Sequence, residues 1–437
     1  MTASLTRREA LIAGVGATLA TCAAALGASG CSSKPTSNEG LQGFTPQLDT
    51  QTKVDIDITG PFGNFEALDQ VENDFNKIYP NVTFYYEQVG GDLGTEIKAD
   101  VFATTEENLF FPHDAEKYAA LCCTDLTATG LDTSAVEQPY LDAYTIDGKL
   151  LSLPVSLKID GIVVNETLLE REGLGVPENL SEFMTSLETL KSRRYAPIQG
   201  PVDTVYENLI SNMVGYLIGT DPDLQAALQS GNLEAACAKL APAFERLAGI
   251  VEGGYTDYAV NETYPYDNYD GAILAFFEGD VPFWVCDTEK FSGMKKRESK
   301  SEAFSAEPFE YRFIGAPMAD DGTYIMRRVW YGFSVNKDSA AFDYAVEFLR
   351  FLATQPELEK IACVKGVPCV TVDASDERFT SISDTEPLNK TYASDGTVNS
   401  VVLNALQNAV RSYVTGGASI ENSLETFVGW CAELFAQ

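Results

Sequence analysis

The chain holds one histidine, His113, among its 437 residues, and no CxxC pair or P-loop. A lone imidazole has no partner for a histidine-based triad or a zinc site, and no GxSxG elbow or dinucleotide-binding glycine fingerprint replaces it. Positive charge is also scarce, with 30 Lys and Arg against 64 Asp and Glu and a formal net charge of −34. Nucleic acid is therefore excluded as a partner, because phosphate binding needs a cationic surface. The chain contains a single long uncharged run, Ala10 to Leu26, and no second stretch able to span a bilayer. No cofactor and no metal are expected.

That run follows Arg7 and Arg8 and leads to Ala28-Ser29-Gly30-Cys31. Two positive charges, a short apolar core and small residues before a cysteine are the pattern of an export signal with a lipid attachment site. The reading is cleavage before Cys31, with residues 1–30 as signal peptide, and an extracytoplasmic protein held to the membrane by lipid on Cys31. Seventeen residues rich in Ala and Gly lie at the low limit for a transmembrane anchor, the competing reading. Cys22 follows Thr21 rather than a Gly, Ala or Ser and is the poorer lipid site. Thr6-Arg7-Arg8-Glu9-Ala10-Leu11 fits a twin-arginine signal as well as an ordinary one. Residues 31–53, polar and Pro-containing, read as a flexible tether.

The mature chain would keep 28 basic and 63 acidic residues, a charge near −35 that suits an exposed, soluble protein. Seven cysteines would remain, at 122, 123, 237, 286, 363, 369 and 431, so complete pairing is impossible and no disulfide framework is expected. Its length suits two domains with full cores.

Val54 to Thr59 alternates apolar and polar residues, then Gly60-Pro61-Phe62-Gly63 breaks it. Phe65, Leu68, Val71, Phe75 and Ile78 recur at helical spacing, Tyr79-Pro80 stops that helix, and Val82 to Tyr86 starts a second strand. Ala99 to Phe102 is a third strand candidate, followed by a polar turn over Thr104 to Asn108. Extended pieces follow at 148–156 and 161–165, then a helical stretch over 180–252 with breaks at Pro197, Pro201 and Pro242. Residues 271–279 read as a helix ending on Gly279, 281–285 and 331–335 as strands, and 340–354, 398–414 and 420–435 as helices. Strands separated by helices imply an α/β fold.

Several stretches, in order, resemble the family 1 extracellular solute-binding proteins, the carbohydrate-binding components of ABC importers that include maltose-binding proteins. They are Phe75 to Val82, Gly148 to Pro154, Asp160 to Asn165, Leu168 to Pro177, Ala275 to Phe283, Gly332 to Ser339 and Ala345 to Leu352. The resemblance implies a two-lobed periplasmic-binding-protein-like fold of type II, with mostly parallel sheets flanked by helices and a hinged cleft. It implies a first lobe of residues 54–157 and 330–364 and a second of 158–329 and 365–437. It implies a monomer that closes on a sugar or oligosaccharide and delivers it to the transmembrane subunits of an ABC permease. No enzymatic activity is expected.

Loops after strands are the natural ligand surface of such a fold. Phe62 and Asn64 follow the first strand, and Glu106 and Glu107 the third, where carboxylates accept hydrogen bonds from hydroxyls. Lys158 and Asp160 lie on the implied crossover. Tyr206 and Asn208 begin a helical stretch, and Asp287 and Glu289 follow the strand 281–285. Trp330 and Tyr331 adjoin the return crossover, and aromatic faces stack on pyranose rings. Glu289 and Lys290 stand where family members carry a tryptophan, while Trp284 reads as core. Two other functions are open at this point. One is capture of a cationic solute such as a polyamine, suggested by the acidic excess and by Tyr264, Tyr266, Asp267, Tyr269 and Asp270. The other, a glycoside hydrolase, needs a carboxylate pair, which a chain this acidic always offers.

Overall fold

The computed structural model describes residues 43–60, 66–88, 107–111, 122–264, 269–372 and 389–436. The alternation at Val54 builds strand β1 (Val54–Gly60), which buries Ile56 and Ile58 completely. Helix α1 (Glu66–Phe75) turns Ala67, Leu68, Val71 and Phe75 to the core, and β2 (Val82–Gln88) then returns parallel to β1. The strand candidate 99–102 lies outside the described residues. Strand β3 (Glu107–Phe110) starts inside the stretch expected to be a polar turn. Asn108 is tolerated there because its amide oxygen accepts from the Asp57 N–H at 2.8 Å and its nitrogen donates to Ser339 Oγ at 2.7 Å.

Asp147 and Gly148 both take positive φ in the two-residue turn between β4 (Thr145–Ile146) and β5 (Lys149–Leu150), as a tight hairpin requires. Strands β6 (Leu153–Lys158) and β7 (Asp160–Asn165) are separated only by Ile159, yet they enter different sheets. The first sheet has the order β12-β11-β3-β1-β2, with β6 also on β11; here β11 is Thr323–Val335 and β12 is Asn389–Ala393. The second has the order β10-β7-β9-β8, where β8 is Ile198–Gln199, β9 is Phe283–Asp287 and β10 is Tyr311–Ile314. Among the described strands of the two sheets, the expected predominance of parallel pairing gives way to an even mix. Strands β3 and β6 on β11, and β9 and β10 on β7, are antiparallel.

The second lobe includes helices α2 (Leu180–Ser192), α3 (Val205–Thr220), α4 (Leu233–Glu252) and α5 (Thr288–Arg297). Pro242 does not break the chain as expected but sits inside α4, whose buried Leu240, Ala243, Phe244 and Leu247 offset the lost backbone bond. The expected breaks at Pro197 and Pro201 do fall in the non-helical stretch between α2 and α3, and further breaks fall at Asp221-Pro222 and at Gly231, where φ is +68°. Helices α6 (Phe342–Leu352) and α7 (Gln355–Lys365) pack on the first sheet, and α8 (Ser400–Val414) and α9 (Ile420–Phe435) on α3 and α4.

Each lobe has its own core. Ile58, Val71, Phe75, Leu157, Phe333, Phe348 and Phe351 fill the first. The second sheet is covered on both faces, by Ile162, Phe183, Ile210, Phe244 and Phe427 in one cluster and by Val163, Phe276, Trp284 and Phe313 in another. Trp284 is core, as its place inside a strand suggested. Strand β11 serves both lobes: Met326 packs with the second, Tyr331 and Phe333 with the first. At about 3.3 Å per residue its 13 residues extend roughly 40 Å, longer than the five-residue strand read from the sequence.

Candidate functional site

Where the chain changes sheets, two strands run side by side, with Lys158 of β6 opposite Arg328 of β11. The Arg328 guanidinium lies 3.2 Å from Asp160 Oδ1, and Ser211 of α3 donates to Asp160 Oδ2 at 3.0 Å. Asn212 ties β7 to β11, donating to the Asp160 carbonyl at 2.6 Å and accepting from the Met326 N–H at 3.1 Å. The site is thus held by α3 as much as by the crossovers.

Asp287 ends β9 opposite Asp160 and caps α5, accepting from the Lys290 N–H at 2.9 Å. It is 2% exposed, and its Oδ2 lies 2.8 Å from Lys158 Nζ and 3.1 Å from Lys290 Nζ. Burial alone would raise its pKa, but the two ammonium groups hold the carboxyl well below the usual carboxylate range. Glu289 and Glu207 go the other way. Burial and the charge of Asp287 push the Glu289 acid up, and burial with the charge of Asp160 pushes Glu207 up. The Glu207 Oε2 is buried without a hydrogen-bond partner.

Trp330 is half-buried, edge-on to Tyr331 at 4.9 Å, and Lys365 Nζ stands 5.6 Å from its ring centroid. Burial and the nearby Lys296 lower the Lys365 pKa, opposed by Glu289 and Glu66. The lobes meet here through Lys296 of α5, which pairs with Glu66 of α1, while Ser292 of α5 donates to the carbonyl of Lys365 at the end of α7. The arrangement offers a hydroxylated solute an indole face and several charged hydrogen-bonding groups.

The structure brings Lys158, Asp160, Asp287 and Glu289 together, with Trp330 two residues from Arg328. Tyr331 is 4% exposed and packs against Phe111 at 5.3 Å, so its ring belongs to the core of the first lobe. Tyr206 is also buried, stacked on Tyr258 and accepting from Asn261 Nδ2 at 3.2 Å, and Asn208 is buried on α3. Phe62, Asn64 and Glu106 lie outside the described residues, and Glu107 is described only as a strand residue opposite Asp57. Asp287 was expected in a loop, but β9 runs two residues further than the hydrophobic run suggested. Glu207, Ser211, Asn212, Arg328 and Lys365 are not among the residues expected from the sequence. The one local signal is that Glu207 and Ser211, four residues apart, share a face of α3.

Two grooves lie elsewhere. One, of about 540 Å³, involves Cys123, Lys337 and Arg350, and the other, of about 290 Å³, lies between α8 and α9. Neither shares a residue with the crossover cluster. Cys237, Cys286, Cys369 and Cys431 are free thiols.

Residues 60–357 match the family model described as "Bacterial extracellular solute-binding protein". The chain belongs to that family of solute-binding proteins. Among solved structures it is similar to a chitin oligosaccharide binding protein, at 18% identity and a TM-score of 0.66, over 88% of this chain and 100% of the other. The protein RafE in complex with raffinose aligns at 18% identity and 0.63, over 88% and 100%. A sugar transporter protein from Bacillus licheniformis in complex with stachyose aligns at 17% and 0.64, over 87% and 100%. These likenesses show the two-lobed, type II periplasmic-binding fold. A multiple sugar-binding protein of Streptococcus mutans serotype c is 33% identical over 58 residues, 13% of this chain and 14% of that relative's length.

Proposed function

We propose that this chain is the lipid-anchored, extracytoplasmic receptor of an ABC importer, binding a sugar or oligosaccharide between its lobes and delivering it to the permease as a monomer. Cys31 carries the lipid, and residues 54–157 and 330–364 close on residues 158–329 and 365–437. The family match over residues 60–357 carries this reading. The sugar ligands named for its structural relatives support the choice of solute, as does an indole beside charged donors and acceptors at Trp330. Lys158, Glu289 and Trp330 are proposed contacts, together with Phe62, Asn64, Glu106 and Glu107. Asp160, Asp287, Tyr206, Asn208 and Tyr331 shape the site from beneath.

A cationic solute is the weaker reading. Asp270, one of the groups that would cage an ammonium, is paired with Arg297 at 2.6 Å, and Asp160 and Asp287 are already paired with cations of the chain. Thermal unfolding of residues 32–437 against sugars, oligosaccharides and polyamines tests the choice. One sugar class should raise the melting temperature saturably, by about 2.7 kcal/mol of stability at one hundred times its Kd. The same ligand should compact the protein in small-angle scattering. A rise with polyamines alone, or binding without compaction, refutes the proposal. Radiolabelled palmitate should enter the full chain and not its Cys31→Ser variant.

A further inference from the structure

The last two helices carry a surface that the crossover site does not use. A turn with Gly416 at φ +76° folds α9 back along α8, and a groove of about 290 Å³ runs between them. That volume sits at the lower end of the roughly 300–1,000 Å³ of small-ligand sites. The room exists because Ala405 and Ala409 occupy positions of α8 where larger side chains would close it. On the facing helix stands Trp430, 39% exposed, whereas Trp284 is buried and Trp330 half-buried.

None of the ten residues lining the groove is charged, although charged residues make up 22% of the chain and its net charge is −34. Half of them are polar: Asn404 and Asn408 on α8, Thr426 on α9, and two serines. One serine, Ser423, is 1% exposed, and its Oγ has no hydrogen-bond partner. A groove meant for an apolar helix would not spend half its lining on amides and hydroxyls, and a cation would find no carboxylate. An exposed indole, flanked by amides that both donate and accept and floored by an unsatisfied hydroxyl, matches a neutral pyranose. Such a ring has one C–H face and a rim of hydroxyls.

We infer that the α8–α9 groove is a second carbohydrate site, binding a single neutral pyranose unit over Trp430. A ligand of this size, held by one stacked face and a few hydrogen bonds, binds with a Kd on the order of 1–10 mM. Such a site would hold the protein near a glycan surface rather than retain a solute for transport.

The test uses the chain from residue 32 labelled with 5-fluorotryptophan, whose three fluorine resonances are assigned with Trp430→Phe and Trp330→Phe. Methyl pyranosides of glucose, galactose, mannose and N-acetylglucosamine are titrated to about 100 mM, ten times the weakest expected Kd. The residue-430 resonance should move saturably with at least one of them while that of residue 284 stays in place. Asn408→Ala, at an exposed helical position, should weaken that response roughly five- to tenfold with an unchanged melting temperature. Ala405→Gln should abolish it by filling the groove. Absence of any saturable shift at residue 430, or an equal shift with cyclohexanol, overturns the inference. Movement of the residue-330 resonance alone also overturns it, while leaving the interlobe reading intact.

Discussion

Asp287→Asn removes one negative charge while keeping the oxygen that caps α5. In the native protein the 2%-exposed carboxylate faces Lys158 Nζ at 2.8 Å and Lys290 Nζ at 3.1 Å. At an effective dielectric near 20 each contact is worth roughly 5 kcal/mol of attraction, much of it offset by the cost of burying the carboxylate. Removing one member of such a cluster leaves two enclosed ammonium groups facing a neutral amide, which costs about 3–5 kcal/mol. Asparagine caps helices as well as aspartate does, so Asp287→Ala should cost about 1 kcal/mol more than Asp287→Asn. The charge effect also has a defined pH window. Because the folded carboxyl is held below its unfolded value of 3.8, its contribution is full above 3.8 and is lost as pH falls through the lowered folded value. The difference between wild type and Asp287→Asn should therefore shrink on acidification. Equilibrium urea unfolding followed by circular dichroism, at neutral pH and again in acid, measures both quantities. A neutral-pH cost below about 1 kcal/mol would refute the view that this ion cluster holds the crossover together.

Burial and then Asp69 hold the Glu72 carboxyl up at about 7, so the folded protein keeps a proton that the unfolded chain gives up near 4.5. Stability from this group is full below 4.5 and falls as pH rises to about 7, by up to roughly 3 kcal/mol. Glu72→Gln should thus raise the melting temperature near pH 8 and leave it nearly unchanged near pH 4.5. Gly161→Ala would set a Cβ 2.3 Å from the Ile314 carbonyl and 2.5 Å from the Phe313 ring, and should cost at least about 1–3 kcal/mol in the same unfolding assay. The Lys296–Glu66 pair bridges the lobes with both side chains nearly half exposed, so Lys296→Ala should change stability by less than about 1 kcal/mol. Any effect should vanish in about 1 M salt.

Several elements were legible from residue order because their signal is local. The alternation from Val54, the helical spacing of Leu68, Val71 and Phe75, the stop at Pro80 and the terminator Gly279 each reflect a backbone preference that acts within a few residues. The last two helices were readable within two residues for the same reason. Local preference misled where packing outweighed it. Pro242 stays helical because the face around it is buried, and β3 begins at Glu107 because Asn108 finds partners on β1 and at Ser339.

Strand β11 is long because its first half pairs with β12 and its second with β6 and β3, partners between 66 and 226 residues away in the chain. No local window contains that information. The same holds for the candidate site. Residue order alone marked Lys158, Asp160, Asp287 and Glu289 as loop and crossover charges, and it marked an acidic chain of the solute-binding class. Only the tertiary structure decided that Arg328 neutralises Asp160 and that Lys158 and Lys290 converge on Asp287. It likewise decided that Asn212 ties two crossovers together and that the ring of Tyr331 belongs to the core. A charge pair is a property of distance and burial, and both are set by how the lobes fold against the crossover strands rather than by any neighbour in sequence.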